Sequence, residues 1–158
     1  MRDFGEERSV YTYLRFHLSR TYKVYVSRRV KGLGLPDIDL LLVSGDELTA
    51  LEVKYFSDSS LLKPYSGLDE ALALLLYGVD RSYLLHVFDS CLADKASDYA
   101  RRALMLVNLT PIGYMVMIGR GELEVLRQAP PNPLLRGERR KEVLRARVQL
   151  LKEIGTEG

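Results

Sequence analysis

Residues 36–56 have the sequence PDIDLLLVSGDELTALEVKYF, and this stretch decides the fold. Two apolar runs flank the turn residues SGDE at 44–47. A glycine at the first central position of a two-residue loop suits a type II′ turn, which joins neighbouring antiparallel strands. With Gly45 in that position, the stretch predicts a β-hairpin in which Ser44 pairs with Glu47.

Charged side chains interrupt both apolar runs of this hairpin. The predicted pairing places Asp39 opposite Glu52 and Asp37 opposite Lys54. Because successive side chains of a strand point to opposite faces, all four would share one face. Carboxylates this close repel one another unless a divalent cation lies between them, and their oxygens suit Mg²⁺ or Mn²⁺. The pattern therefore predicts a metal site that acts on a phosphodiester, with Lys54 beside the attacking water or the developing negative charge. The alternative is an exposed hairpin face on which Asp and Lys only form ion pairs.

The remaining sequence predicts helices and strands that alternate around the hairpin. Helices are predicted over 3–18, 66–78, 94–108 and 136–154, strands over 21–30 and 82–88, and a second hairpin over 114–126. We expect Asp3 to cap the first helix, and Ser66 with Asp69 to cap the second. This order predicts an α/β fold, a mixed β-sheet flanked by helices, with a basic C-terminal helix.

Two of these helices have apolar stripes with consequences for function. On the first helix, Glu7 lies one turn before Val10 on the buried stripe, where a carboxylate is costly unless it has a partner or a task. On the last helix, the residues expected to face the core are Leu144, Val148 and Leu151.

Composition excludes several classes of protein and site. The 158 residues suffice for one domain. One cysteine, Cys91, and two distant histidines, His17 and His86, exclude an internal disulfide and a Cys- or His-rich metal site, and we expect both histidines to be structural. No apolar run approaches ~18 residues and the start lacks a signal core, so we expect a cytoplasmic protein that has no membrane partner. No P-loop or dinucleotide fingerprint is present, so no nucleotide cofactor is expected.

The net charge of +2 conceals an uneven distribution. Residues 1–33 carry eight basic and three acidic side chains, residues 134–152 carry seven and two, and residues 34–133 carry eight and fourteen. Basic ends suit contact with a polyanion. Solvated helix faces, or docking of the last helix on a partner, would explain them equally well. The residues expected to contact DNA phosphates are Arg28, Arg29, Lys31, Arg139, Arg140 and Arg145.

The hairpin motif resembles that of the PD-(D/E)XK nuclease superfamily, and especially the archaeal Holliday-junction resolvases and related restriction-like nucleases. The matching residues are Pro36-Asp37-Ile38-Asp39, Glu52-Val53-Lys54 and Glu7-Arg8, so the resemblance covers roughly residues 1–60. It implies a restriction-endonuclease-like domain over 1–133. Residues 134–158 would form a basic helix packed on that domain or on a partner.

The resemblance also implies roles for particular residues. Asp39 and Glu52 would be the central metal ligands, Glu7 a further metal or water ligand, and Lys54 the catalytic lysine, while Asp37 competes with Asp39 for the aspartate role. The implied activity is that of a Mg²⁺- or Mn²⁺-dependent DNA endonuclease of repair or recombination, acting as a homodimer. Two alternatives are a catalytically inactive DNA-binding or complex-assembly subunit of the same fold, and a regulatory protein whose last helix docks on a partner.

Two features depart from the resolvase pattern. The segment 55–65 is longer than a resolvase would need. Asp69 and Glu70 stand where a glutamine often follows the lysine on the next helix. These departures weaken the expectation of junction cleavage more than that of a nuclease fold.

Overall fold

The computed structural model describes residues 2–155. In chain order its helices and strands are α1 Glu7–Leu18, β1 Lys23–Arg28, β2 Ile38–Ser44, β3 Glu47–Phe56, α2 Leu68–Ala73, β4 Arg81–Phe88, α3 Ala93–Val107, β5 Gly113–Ile118, β6 Glu124–Arg127 and α4 Arg140–Gly155. Short 3₁₀ turns lie at Ser59–Leu61, Leu74–Tyr77, Ser90–Leu92 and Pro133–Leu135. Within this range no helix has the length and apolar character needed to cross a lipid bilayer.

The six strands form one mixed sheet in the order β1-β2-β3-β4-β5-β6. β1, β2 and β3 are antiparallel neighbours, β3, β4 and β5 run parallel, and β6 is antiparallel to β5. Parallel neighbours need a crossover connection, and α2 and α3 supply the two that this sheet requires. The predicted α/β class, a mixed sheet flanked by helices, is confirmed, and the architecture is compatible with a restriction-endonuclease-like fold.

The first hairpin has the predicted register. Ser44 pairs with Glu47, and Leu40 pairs with Leu51. Gly45 has φ of 58°, which the first central position of a type II′ turn requires. The chemistry of the two-residue loop therefore aligns Asp39 of β2 with Glu52 of β3.

The two faces of the sheet carry different helices. Val10 of α1 shares one core with Leu51 and Val53 of β3. On the opposite face, Ala71 of α2 and Ala100 of α3 pack in a second core, and α4 covers a third. Because side chains alternate along β3, its charged residues Glu52 and Lys54 lie on one face, and this is the face on which α2 packs.

α1 begins at Glu7, and the predicted cap by Asp3 is wrong. The Asp3 carboxylate instead accepts hydrogen bonds from the backbone N–H of Ser90, at 2.5 Å, and from its hydroxyl, at 3.0 Å. The neighbouring Phe4 is buried. A tertiary partner therefore outcompetes the local cap and ties the start of the chain to the segment before α3.

The second predicted helix is shorter and differently capped. α2 begins at Leu68 after Gly67, which has φ of 80° and provides no side-chain cap, so the cap predicted from Ser66 is wrong. The helix continues as a 3₁₀ turn from Leu74 and ends at Gly78. A Cβ at Gly78 would lie 2.6 Å from the Val143 carbonyl oxygen of α4, so close packing against α4 requires glycine there.

α4 buries a different face from the predicted one. Its buried residues are Val143, Ala146, Leu150 and Ile154, whereas the predicted stripe of Leu144, Val148 and Leu151 is exposed. Arg147 explains the rotation, because its guanidinium donates to the carbonyls of Gly78 and Asp46 at 2.7 Å and to the Asp80 carboxylate at 3.1 Å. Residues 156–158 of the predicted C-terminal segment lie outside the described residues.

Candidate active site

β3 extends past the start of its partner β2, and two carboxylates accept hydrogen bonds from the edge of β3 that β2 leaves unpaired. β2 starts at Ile38. The backbone N–H of Val53 donates to Asp39 Oδ2 at 2.8 Å, and that of Tyr55 donates to Glu7 Oε2 at 3.4 Å. Since a buried strand N–H must find an acceptor, these bonds hold both carboxylates where the two strands part.

Glu52 and Asp39 form a buried carboxyl pair. Glu52 is 1% exposed, and within residues 2–155 no hydrogen-bond donor reaches its Oε2. Burial, followed by the charge of Asp39, raises the pKa of Glu52 to about 10. Burial also raises the pKa of Asp39, although the N–H of Val53 opposes the shift. Without a cation, the pair therefore retains a proton at neutral pH.

Tyr11 of α1 connects Glu7 to this pair. Its hydroxyl donates to Glu7 Oε1 at 3.0 Å and also lies beside Asp39. Burial raises the pKa of the Tyr11 hydroxyl, which therefore remains a donor. Burial raises the pKa of Glu7 as well, against the hydrogen bonds from Tyr11 and Tyr55. These two donors are the partners that a carboxylate on the buried stripe requires.

Lys54 is the cation of the group. Its Nζ lies 2.9 Å from Glu70 Oε1 and 3.6 Å from Glu52 Oε1. Burial alone would lower the pKa of Lys54, but the hydrogen bond to Glu70 and the nearby carboxylates outweigh burial and raise the pKa. Lys54 is therefore protonated at neutral pH, and with 28% of its side chain exposed it can donate to a ligand.

A buried polar chain supports Lys54 from the α2 side. Lys54 packs against Gly67, where a Cβ would lie 3.0 Å from Lys54 Cγ. The carbonyl of the preceding Ser66 lies 2.8 Å from His86 Nε2, and His86 Nδ1 lies 2.8 Å from the Tyr114 hydroxyl. Because a carbonyl only accepts, the imidazole proton is assigned to Nε2, and Nδ1 accepts from Tyr114. Burial lowers the pKa of His86 to about 4, so the ring is neutral, in line with a structural role.

Four of the residues predicted to be catalytic meet in this group: Glu7, Asp39, Glu52 and Lys54. Asp37 does not join them. It precedes β2, and its carboxylate lies 3.6 Å from Arg29 Nε. This placement favours Asp39 over Asp37 as the aspartate of the site.

The residues predicted to contact phosphates fall at the end of β1 and near the start of α4: Arg28, Arg29, Lys31, Arg139, Arg140 and Arg145. In the second group, Arg139 pairs with Glu142 at 3.1 Å. Most of these side chains are exposed to solvent. Their contact with DNA stays a prediction.

Tyr11 and the His86–Tyr114 pair are members of the site that the sequence does not reveal, and Glu70 stands out in the sequence only as a departure from the resolvase pattern. Tyr11 follows Glu7 by one helical turn, a spacing that could have indicated their contact. Glu70 lies in the first turn of the helix after the hairpin. His86 lies beside Lys54 through the parallel register of β3 and β4, which no local pattern indicates.

Asp39 and Glu52 are the side chains of this site that could hold a metal ion. Within residues 2–155, no group of three or more His, Cys, Asp or Glu side chains is arranged to hold a metal ion. Mg²⁺ in proteins is often held by one or two carboxylates, with waters and substrate phosphates completing its coordination. Asp39 and Glu52 meet that requirement, because Glu52 Oε2 is buried without a donor and both pKa values are raised. The pair fits Mg²⁺ or Mn²⁺, which would replace the retained proton.

Comparison with known proteins gives only a distant structural likeness. No family model matches the sequence, and no curated protein matches it. Among solved structures, SfsA of Pyrococcus furiosus in complex with Ca²⁺ is similar, with a TM-score of 0.35 and 13% identity. The match covers 78% of this chain and 62% of that one. A likeness of this size assigns neither family nor activity to the chain.

Proposed function

We propose that this protein is a Mg²⁺-dependent DNA endonuclease that hydrolyses phosphodiester bonds. Its active-site residues are Asp39, Glu52 and Lys54. The observation that carries the proposal is the environment of Glu52. This buried carboxyl has no donor at Oε2 among the described residues, lies beside a second carboxyl, and has its Oε1 3.6 Å from the Lys54 ammonium group. Titratable groups with strongly shifted pKa values that cluster in this way are typical of functional sites. The resemblance of the hairpin motif supplies the reaction class.

Each residue has a role that follows from its protonation and contacts. Mg²⁺, when bound, would orient a phosphodiester and withdraw charge from phosphorus. Asp39 and Glu52 would hold it as carboxylates. Lys54 is protonated, so it would donate to a phosphate oxygen as negative charge develops and cannot act as the base. Glu7 lies outside the carboxyl pair, and it would orient the attacking water and accept its proton.

Cleavage of branched, flapped and linear DNA in Mg²⁺ and Mn²⁺ tests this proposal. Glu52→Gln and Lys54→Ala should each reduce the cleavage rate by about 100-fold or more. Glu47→Gln is the matched control, because Glu47 is exposed at the start of the same strand, and it should retain nearly full activity. Unchanged cleavage by the Glu52→Gln variant would refute the proposal.

A catalytically inactive DNA-binding subunit is the alternative. It is favoured by the bonds of Asp39 and Glu7 to backbone N–H groups of β3, since completing the strand edge is a sufficient structural task for both. In that case the wild type would bind DNA without cleaving it in either metal, and binding would survive Glu52→Gln.

A further inference from the structure

A basic groove of about 800 Å³ lies between the C-terminal part of α1 and the edge strand β1. Its cations are Arg15, Arg20, Lys23 and Arg28, and none of the residues that line it, all within the described chain, is acidic. Arg15, Arg20 and Lys23 are exposed. The groove therefore presents concentrated positive charge on a chain whose net charge is only +2.

One end of the groove lies at Arg28, next to the strand that carries Asp39. β1 has β2 as its neighbour and lies at the edge of the sheet. Arg28 at the end of β1 pairs with Ile38, the residue before Asp39. Since adjacent strands lie ~4.8 Å apart, this end of the groove lies one strand away from Asp39. From Lys23 to Arg28 the strand runs roughly 16 Å, which is long enough to face several phosphates of one nucleic-acid strand.

Aromatic side chains lie among these cations. Lys23 Nζ lies 5.5 Å from the centre of the Tyr25 ring, which also lines the groove. An adjoining hollow of about 470 Å³ contains Arg15, Arg20 and Phe16, and Phe16 is 69% exposed. Aromatic faces between cations are suited to stacking with bases while the cations contact the backbone.

We propose that this groove binds the sugar–phosphate backbone of DNA and guides it to the Asp39–Glu52 pair. The inference rests on the proposed function, which makes DNA the substrate. Charge complementarity selects this occupant, because Arg15, Arg20 and Lys23 are exposed and the described residues that line the groove include no acidic side chain, which suits a polyanion. The same cations could instead serve two structural purposes: they complement the C-terminal dipole of α1 and discourage pairing of another strand with the β1 edge. The experiment distinguishes these purposes from DNA binding.

The test is fluorescence anisotropy with a labelled DNA duplex and its single strand, in EDTA so that no cleavage occurs. The triple variant Arg15→Gln, Arg20→Gln, Lys23→Gln should bind more than about tenfold more weakly than the wild type. Its slope of log affinity against log salt should be smaller by about 3, one unit for each lost phosphate contact. The control carries the same charge change on exposed positions of α3, Lys95→Gln, Arg101→Gln and Arg102→Gln, and should keep both values.

Hydrogen exchange on the wild type provides a second measurement that needs no variant. DNA should protect backbone amides in residues 15–28 and leave those of α3 unchanged. Equal binding by the wild type and the triple variant, or no protection over 15–28, would overturn the proposal. It would also be overturned if the triple variant kept its affinity but self-associated in gel filtration, because the cations would then only protect the strand edge.

The two proposals fail separately. If the wild type does not cleave DNA in Mg²⁺ but binds it in EDTA through the groove, the proposed nuclease activity is refuted and the proposed DNA-binding groove is retained. The opposite result is cleavage that requires Glu52 but is as fast in the triple variant as in the wild type at substrate concentrations below saturation. It would refute the DNA-binding groove and retain the nuclease activity.

Discussion

Glu52 is a buried acid whose Oε2 has no hydrogen-bond partner among residues 2–155. Burial raises its pKa from 4.5 to about 10, so between these pH values the folded chain holds a proton that the unfolded chain has released. Stability falls with rising pH wherever the folded state binds more protons, so Glu52 opposes folding increasingly from acid to alkaline pH. Such a cost is common for residues retained for function.

Glu52→Gln should therefore stabilise the metal-free protein at pH 8. Glutamine is neutral at every pH and nearly isosteric, so the variant should gain at least about 1–2 kcal/mol at pH 8 and little at pH 5. Urea unfolding in EDTA at both pH values measures the difference. A variant that is no more stable than the wild type at pH 8 would show that Glu52 is not held protonated.

Glu70 should set the protonation range of Lys54. The 2.9 Å contact raises the pKa of the lysine, so Glu70→Gln should lower it and move the alkaline limb of the pH–rate profile for DNA cleavage to lower pH. Asp69→Asn is the matched control, since Asp69 is the exposed neighbour on α2. An unshifted alkaline limb in Glu70→Gln would show that Lys54 does not govern it.

At the scale of elements, the junction between β3 and α2 determines where Lys54 can lie. Gly67 adopts φ of 80°, and a Cβ there would lie 2.9 Å from Leu84 Cδ1 and 3.0 Å from Lys54 Cγ. His86 of β4 donates a hydrogen bond to the carbonyl of Ser66, the residue before Gly67. The start of α2 is thus built against the lysine, and a change there should alter catalysis as well as stability.

Gly67→Ala tests this junction, with Gly34→Ala as its control. Both glycines have positive φ, so each variant should lose about 1–2 kcal/mol to backbone strain, but a Cβ at Gly34 meets nothing within 4 Å. Only Gly67→Ala should lose further stability and reduce the cleavage rate. Thermal unfolding and DNA cleavage measured together distinguish the two, and equal effects would contradict the proposed support of Lys54.

At the scale of the whole molecule, Arg147 attaches α4 to the rest of the fold. Its guanidinium satisfies two carbonyls and the Asp80 carboxylate, while Asp80 also accepts from the backbone N–H of Leu48 at 2.7 Å. Only 16% of the Arg147 side chain is exposed. The helix that the sequence marks as basic is therefore attached through one of its basic residues.

Arg147→Gln should destabilise the protein by about 2–4 kcal/mol, because it leaves Asp80 and two carbonyls without their cationic partner. Arg145→Gln, on the exposed side of the same helix, should change stability by less than about 0.5 kcal/mol. Urea unfolding of the two variants is the measurement. Equal stabilities would show that apolar packing alone places α4.

The part of the fold that local chemistry determines could be predicted. Gly45 in its two-residue loop defines the hairpin register, and the alternation of β3 then places Glu52 and Lys54 on one face. The helices around the sheet follow from their apolar spacing. The ends of these helices do not follow from the local sequence. Asp3, for example, bonds to Ser90 across the fold instead of capping α1.

The rest depends on contacts between residues distant in sequence. His86 reaches Lys54 only because β4 lies parallel to β3, a pairing that no motif records. On α4 the predicted apolar stripe, which includes Leu144, is exposed because the Arg147 contacts set the rotation of the helix. Asp37 and Asp39 could not be separated by period-two spacing, since Asp37 precedes the strand and faces Arg29.

The most direct test of the central claim is calorimetric titration of Mn²⁺ and Mg²⁺ into the protein without DNA. If Asp39 and Glu52 hold a divalent cation, the wild type and Glu47→Gln should bind one Mn²⁺ per chain, and Glu52→Gln should bind at least about tenfold more weakly. Equal Mn²⁺ binding by the wild type and Glu52→Gln, or no binding by either, would contradict the account.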